Sequence, residues 1–152
     1  MQFNGIKCLE FALSNGVDNI FGYSSGIETG DPASFTSFDQ VWEAFNVQMS
    51  HFIGQMVKGM EALDTAIAGM LPSPFASAMI RGPLEKGKDL TRGGAVYNST
   101  GVQLMGFSNT ADGLYAVKKA VFEDGKYSLE DLVHWLAEDW TDAEEARKYL
   151  LV

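Results

Sequence analysis

Arg92-Gly93-Gly94-Ala95-Val96-Tyr97-Asn98-Ser99-Thr100-Gly101-Val102-Gln103 is the stretch on which the reading of this chain turns. It holds too much glycine for a helix interior and too many hydrogen-bonding side chains for a core strand. Paired glycine ahead of Ala95 and Val96 predicts a backbone threaded through a tight place, where a Cβ has no room. Tyr97, Asn98, Thr100 and Gln103 are the polar residues this run offers. They fit either a structural turn that caps neighbouring elements or a pocket wall presented to a small substrate.

Upstream of the run, Ser37 opens the longest predicted element. Ser37 and Gln40 have capping-box spacing. The apolar series Val41, Trp42, Phe45, Met49, Phe52, Ile53, Met56, Met60, Leu63, Ile67, Met70 recurs at helical intervals until Pro72 and Pro74 stop it. Such a helix spans roughly 50 Å, more than a compact globule of this length is wide. It must kink near Gly54 or Gly59, or belong to something larger. Before it, a helix is expected over 2–15, with Gly16 at its left-handed end. Residues 17–36 form a long glycine- and serine-rich connection, of the kind pinned by other parts of a protein or used by it. Ser73 and Pro74 predict a short helix that fades at Gly82 and Pro83. Downstream, 102–107 is the best strand candidate. Ser108 or Asn109 caps a helix to Phe122, and 125–127 make a turn. Ser128 with Asp131 caps a helix to Trp140, and Thr141 with Glu144 caps a last one. The fold class is therefore mostly α with one or two short strands, without internal repeat or domain boundary.

Composition limits function. The chain has 152 residues, a formal charge of −9 and 46% hydrophobic residues. That charge disfavours nucleic acid and anionic membranes. Cys8 is the only cysteine, so no internal disulfide forms and a reducing, cytoplasmic setting is expected. No apolar run is long enough to span a bilayer, and the start lacks a signal-peptide pattern. Cys8 sits in an amphipathic helix with no histidine near it, which is the setting of a buried structural thiol. His51 and His134 lie on separate helices without a repeating ligand spacing, so no metal is expected. The segment 82–89 nearly spells a phosphate-binding loop, yet it follows a helix and puts Asp89 where a hydroxyl is needed.

Several segments, in order, resemble the glycyl radical enzymes, the pyruvate formate-lyase-like proteins. They are Ala12-Leu13-Ser14-Asn15-Gly16; Thr29-Gly30-Asp31-Pro32; 37–44; Pro72-Ser73-Pro74-Phe75; 85–89; Gly93-Gly94-Ala95-Val96-Tyr97-Asn98; Asn109-Thr110-Ala111-Asp112-Gly113-Leu114; and 126–132. Each alone is weak; their collinear order is specific. The resemblance spans nearly the whole of 1–152, about a fifth of a family member. It implies a segment of a ten-stranded α/β barrel, in which a cysteine loop forms a thiyl radical and a glycine loop stores the radical away from water and oxygen. Relatives carry the cysteine in a Gly-Cys-x-Glu context and the glycine in Arg-Val-x-Gly-aromatic. Neither string occurs here, and Cys8 falls downstream of the first, so no catalytic residue is assigned.

The resemblance thus implies an interior fragment of a dehydratase, decarboxylase or formate acetyltransferase-like lyase, inactive by itself. Tyr97 would line the substrate pocket, with Asn98, Thr100 and Gln103 supporting that wall. The whole enzyme would be anaerobic and homodimeric, act on a small molecule, and gain its glycyl radical from a radical S-adenosylmethionine activating enzyme. This chain itself would bind no cofactor. The competing expectation is a non-catalytic helical scaffold that packs against a partner.

Overall fold

The computed structural model describes residues 2–151. It is mostly helical, as the sequence predicts, with β1 (Gln2–Asn4) and β2 (Gln103–Met105) paired as a two-stranded sheet. The helices are α1 (Gly5–Leu13), α2 (Phe38–Met70), α3 (Pro74–Met79), α4 (Pro83–Lys86), α5 (Phe107–Val117), α6 (Leu129–Ala137) and α7 (Glu144–Leu150). Contacts cluster into two compact units that divide along α2: a larger one of 2–53 and 104–151, and a smaller one of 54–103.

The larger unit holds the hydrophobic core. One face of α1 (Cys8, Leu9, Ala12, Leu13) meets Val41, Ala44 and Phe45 of α2, Leu114 and Val117 of α5, and Leu129 and Leu132 of α6. Aromatic rings extend it: Phe11 stacks on Phe52 at 5.0 Å, and Phe38 meets Phe122 edge-on at 6.4 Å. Burying each large side chain is worth roughly 1.5–3 kcal/mol, so this cluster accounts for most of the unit's cohesion.

The connection after α1 is pinned, as its length demands. Gln48 is wholly buried. Its Oε1 accepts from Ile27 N at 3.0 Å and its Nε2 donates to Ile27 O at 2.6 Å, as a strand partner would. Asn15 Oδ1 accepts from the amides of Thr29 and Gly30. Asp18 takes the amides of Ile20 and Phe21 on one oxygen and Lys7 Nζ, at 2.8 Å, on the other. The Lys7 ammonium is the main reason its carboxyl sits below the usual range.

Several element ends differ from the sequence reading. Residues 2–4 pair as a strand with β2 instead of starting the helix. After α1 the left-handed C′ position falls on Asn15 (φ 51°), and Gly16 follows at C″. The Gly16 amide donates to Phe11 O at 2.8 Å, closing a Schellman motif. α2 runs unbroken through Gly54 and Gly59 and stops at Met70 ahead of Pro72. At its start Gln40 Oε1 accepts from the amides of Thr36 and Ser37, the Gln40 half of the capping box expected from Ser37 and Gln40. Gly106, in a left-handed conformation, precedes α5 where Ser108 or Asn109 was expected to cap it. The segment Lys118–Glu123 widens into a π-helix. The Ser128–Asp131 capping box forms as read. α6 ends at Ala137, and Thr141 donates to Glu138 O instead of capping α7.

Candidate functional site

The smaller unit carries the glycine-rich run. α3 is too short for independent stability, and its N-cap Ser73 makes no side-chain capping bond. What fixes it is Asp89. Its Oδ2 accepts from Ser73 N at 3.0 Å and Ser77 Oγ at 2.9 Å; its Oδ1 accepts from Thr91 N at 2.9 Å and Thr91 Oγ1 at 2.7 Å. Ser77 Oγ in turn accepts from Leu90 N at 2.9 Å. These donors, the Thr91 hydroxyl foremost, hold the Asp89 carboxyl below its ordinary pKa.

The backbone then folds tightly. Gly94 N donates to Asp89 O at 3.0 Å, and a Cβ on Gly94 would collide with the carbonyl oxygen of Lys88. On the other side Val96 N donates to Arg81 O at 3.0 Å, and a Cβ on Gly82 would come within 2.7 Å of Gly94 O. Lys86 Nζ donates to Ala95 O at 2.8 Å. Gly82 and Gly94 are thus required by close backbone approach; of the paired glycines Gly93 and Gly94 only the second meets such a contact, while Gly93 takes a left-handed φ of 77°.

Tyr97 follows immediately and is 92% exposed. Asn98 turns inward instead: its Nδ2 donates to Ala95 O at 2.9 Å and to Gly93 O at 3.4 Å, bracing the turn that carries it. Thr100 Oγ1 lies 3.4 Å from Asp64 Oδ2 on α2, at the limit of a hydrogen bond. Gln103 is exposed on β2. Tyr97 and Asn98 are therefore neighbours on one turn, whereas Thr100 faces α2 and Gln103 belongs to the strand. The sequence reading did not foresee Asp89 as the hub. Its four donors are the Ser73 and Thr91 amides and the Ser77 and Thr91 hydroxyls, a set that no local spacing singles out.

The larger unit contains a separate cavity of about 660 Å³, lined by Leu9 and Leu13 of α1, Val117 of α5, Leu136 of α6 and Trp140, with Lys7 and Glu10 among its polar residues. None of the four candidate residues borders it. Nor does Cys8, which is 1% exposed and has its Sγ 3.8 Å from Asn4 O. Burial pushes its thiol up to about 11. Among the described residues no group of three or more His, Cys, Asp or Glu could hold a metal ion, and no helix is long and apolar enough to cross a membrane.

A family model described as pyruvate formate lyase-like matches residues 1–152. The chain is 38% identical over 127 residues to a trans-4-hydroxy-L-proline dehydratase of Clostridioides difficile, covering 84% of this chain and 16% of that protein. It is 30% identical to a (2S)-3-sulfopropanediol dehydratase of Klebsiella oxytoca, covering 93% of this chain and 17% of the relative. Among solved structures, hydroxyproline dehydratase from Clostridioides difficile with trans-4-hydroxy-L-proline bound superposes with a TM-score of 0.92 at 35% identity, over 95% of this chain and 18% of that one. The glycerol-bound B12-independent glycerol dehydratase from Clostridium butyricum gives 0.90 at 35% identity, with the same coverage. The chain thus spans less than a fifth of the length of the relatives it matches.

Proposed function

This chain belongs to the pyruvate formate lyase-like family of glycyl radical enzymes, and from that premise we propose that it is an interior segment of a dehydratase-type lyase, inactive by itself. The observation that carries the reading is the fit of 95% of the chain onto 18% of far longer dehydratases. The exposed apolar residues of α2 agree with it: Trp42, Ile53, Val57 and Leu63 are each between 41% and 52% exposed. In an isolated globule such a series is a cost; in a barrel wall it is a packing surface.

The substrate class is suggested by the dehydratases among the relatives, beside which stand isethionate sulfite-lyases and an indoleacetate decarboxylase. Hydroxyproline, glycerol, sulfopropanediol and, in a further relative, 1,2-propanediol are small hydroxylated molecules. We take the whole enzyme's substrate to be of that kind. The whole enzyme's protein-borne radical would supply hydrogen-atom abstraction from a substrate carbon. This chain's own residues do other work. The Tyr97 hydroxyl offers a hydrogen bond to a substrate hydroxyl or to the group that leaves. Asn98 holds the turn behind it, while Thr100, toward α2, and Gln103, on β2, would support that wall only from separate positions. Cys8 does not fit the radical-bearing role: it is buried, lies outside the lining of the cavity beside α1, and has its hydrogen-bond contact with the backbone of its own helix start. The same reading has the enzyme work in the cytoplasm without oxygen, as a homodimer charged by a radical S-adenosylmethionine activating enzyme.

Two experiments test this. Sequencing the DNA on both sides of the reading frame should reveal a Gly-Cys-x-Glu string upstream and Arg-Val-x-Gly-aromatic downstream; native start and stop codons with neither string nearby would overturn the segment reading. Tyr97→Phe, made in a full-length activated dehydratase into which these residues are grafted, should lower kcat/KM by about tenfold or more, the scale of one lost polar contact to substrate. Unchanged turnover would remove Tyr97 from the site.

A further inference from the structure

The Asp89 carboxylate accepts four hydrogen bonds, and all of them end on the two short segments that frame the glycine-rich run. Through Ser73 and Ser77 it holds α3; through Thr91 it closes the 3₁₀ turn Leu90–Arg92. That turn delivers the Asp89 carbonyl to Gly94 N, and Gly94 is then gripped between Lys88 on one side and Gly82 on the other. Val96 N is tied to Arg81 O, and Ala95 O is shared by Lys86 Nζ and Asn98 Nδ2. From Asp89 to Val96 the backbone has no slack. The first residue beyond this held stretch is Tyr97, whose ring stands almost fully exposed.

We propose that Asp89 is a positioning residue for the Tyr97 wall: its carboxylate locks the turn whose backbone sets where the Tyr97 ring points. The inference rests on the reading of Tyr97 as a substrate-facing residue. The chemistry explains why an acid is required. Both oxygens meet two donors each, which a carboxylate satisfies with its acceptor-only rim. An asparagine would turn an NH₂ toward the amide of Ser73 or Thr91 and leave that donor unpaired. Ser77 is the second member of the device, because its hydroxyl donates to Asp89 and accepts from Leu90 N at once.

The test has two arms. In the 152-residue chain, Asp89→Asn should speed amide exchange at Gly94 and Val96 by about tenfold or more, with the amides of α1 and α6 unchanged. In the full-length grafted enzyme, the same change should lower kcat/KM by roughly tenfold or more while the glycyl radical content per protomer stays constant. A loss of general structure would lower the radical content as well. Ser77→Ala, which removes one contact and leaves the carboxylate, should move both readouts in the same direction by less; it gives the same test if Asp89→Asn does not fold. Unaltered exchange at Gly94 and Val96 overturns the proposal. So does unaltered kcat/KM in Asp89→Asn when Tyr97→Phe lowers it, and in that case the Tyr97 reading stands. If Tyr97→Phe changes nothing, the reading beneath falls and this inference falls with it.

Discussion

Gln48→Leu tests how the connection between α1 and α2 is held. The Gln48 amide meets both backbone groups of Ile27, at 3.0 and 2.6 Å, from a fully buried position. Leucine fills much of the same space and removes both partners. Each hydrogen bond is worth about 1 kcal/mol net, while a backbone group left buried and unpaired costs about 1–3 kcal/mol. If the loop keeps its place, the loss from the two unpaired groups is therefore about 2–6 kcal/mol. Ile27 is 38% exposed, however, so a slight lift lets water reach its amide and carbonyl. The lower end then applies: about 2 kcal/mol, or roughly thirtyfold in the folding equilibrium. Urea unfolding followed by tryptophan fluorescence reads this directly, because Trp42, Trp135 and Trp140 all belong to the same compact unit as Gln48. The m-value should be unchanged. Exchange at the Ile27 amide should rise in parallel. A loss below about 0.5 kcal/mol, with Ile27 still protected, would refute the clamp.

Four other outcomes are expected. Gly94→Ala should destabilise the smaller unit by about 3 kcal/mol, since the added methyl meets the Lys88 carbonyl instead of a movable side chain; faster exchange at Val96 would register it. Ser128→Ala should cost about 1 kcal/mol in thermal or urea unfolding by removing the hydroxyl that accepts from Asp131 N at 3.0 Å. Iodoacetamide at pH 8 should label Cys8 about a hundredfold more slowly in the folded chain than in urea, because a thiol pushed up to about 11 is rarely ionised there. Stability should fall on acidification. Asp18 (through Lys7), Asp89 (through the Thr91 hydroxyl), Asp124 (through Lys119) and Asp131 (through the Ser128 hydroxyl) all have lowered values. Their contribution is complete above the unfolded carboxylate pKa of about 3.9 and is lost as pH drops through the folded values, so a flat urea midpoint between pH 5 and pH 2.5 would contradict these contacts.

Local chemistry was legible in the sequence where it closes on itself. The Ser128–Asp131 box needs only residues three apart, and the stop of α2 ahead of Pro72 needs only the proline ring. Features decided by distant partners were not legible. Residues 2–4 carry an apolar spacing that continues into α1, yet they pair with 103–105, far along the chain. The π-helix at Lys118–Glu123 has no composition of its own. Asn15, Asp139, Trp140 and Asp142 take positive φ; Asp139 and Trp140 do so where the helix before Thr141 was read as running on to Trp140. The candidate site divides in the same way. Gly93 and Gly94 announced a tight backbone, and Gly94 has one. For Asn98 the sequence left a bracing turn and a pocket wall both open, and its amide donates to the carbonyls of its own turn. Asp89 drew notice only as a bar to phosphate, because its donors come from three separate positions.

The division of the chain along α2 has an evolutionary consequence. Residues 54–103 form an excursion from the larger unit, whose own sequence is interrupted at Ile53 and resumes at Leu104. Closing such a loop depends on length only logarithmically, so doubling it adds about 0.6 kcal/mol. Natural variation can therefore lengthen, shorten or rewrite the excursion, and with it the turn that carries Tyr97, at small thermodynamic penalty to the core left behind. Chemical novelty in such a lineage would accumulate in the insert while the host packing drifts slowly.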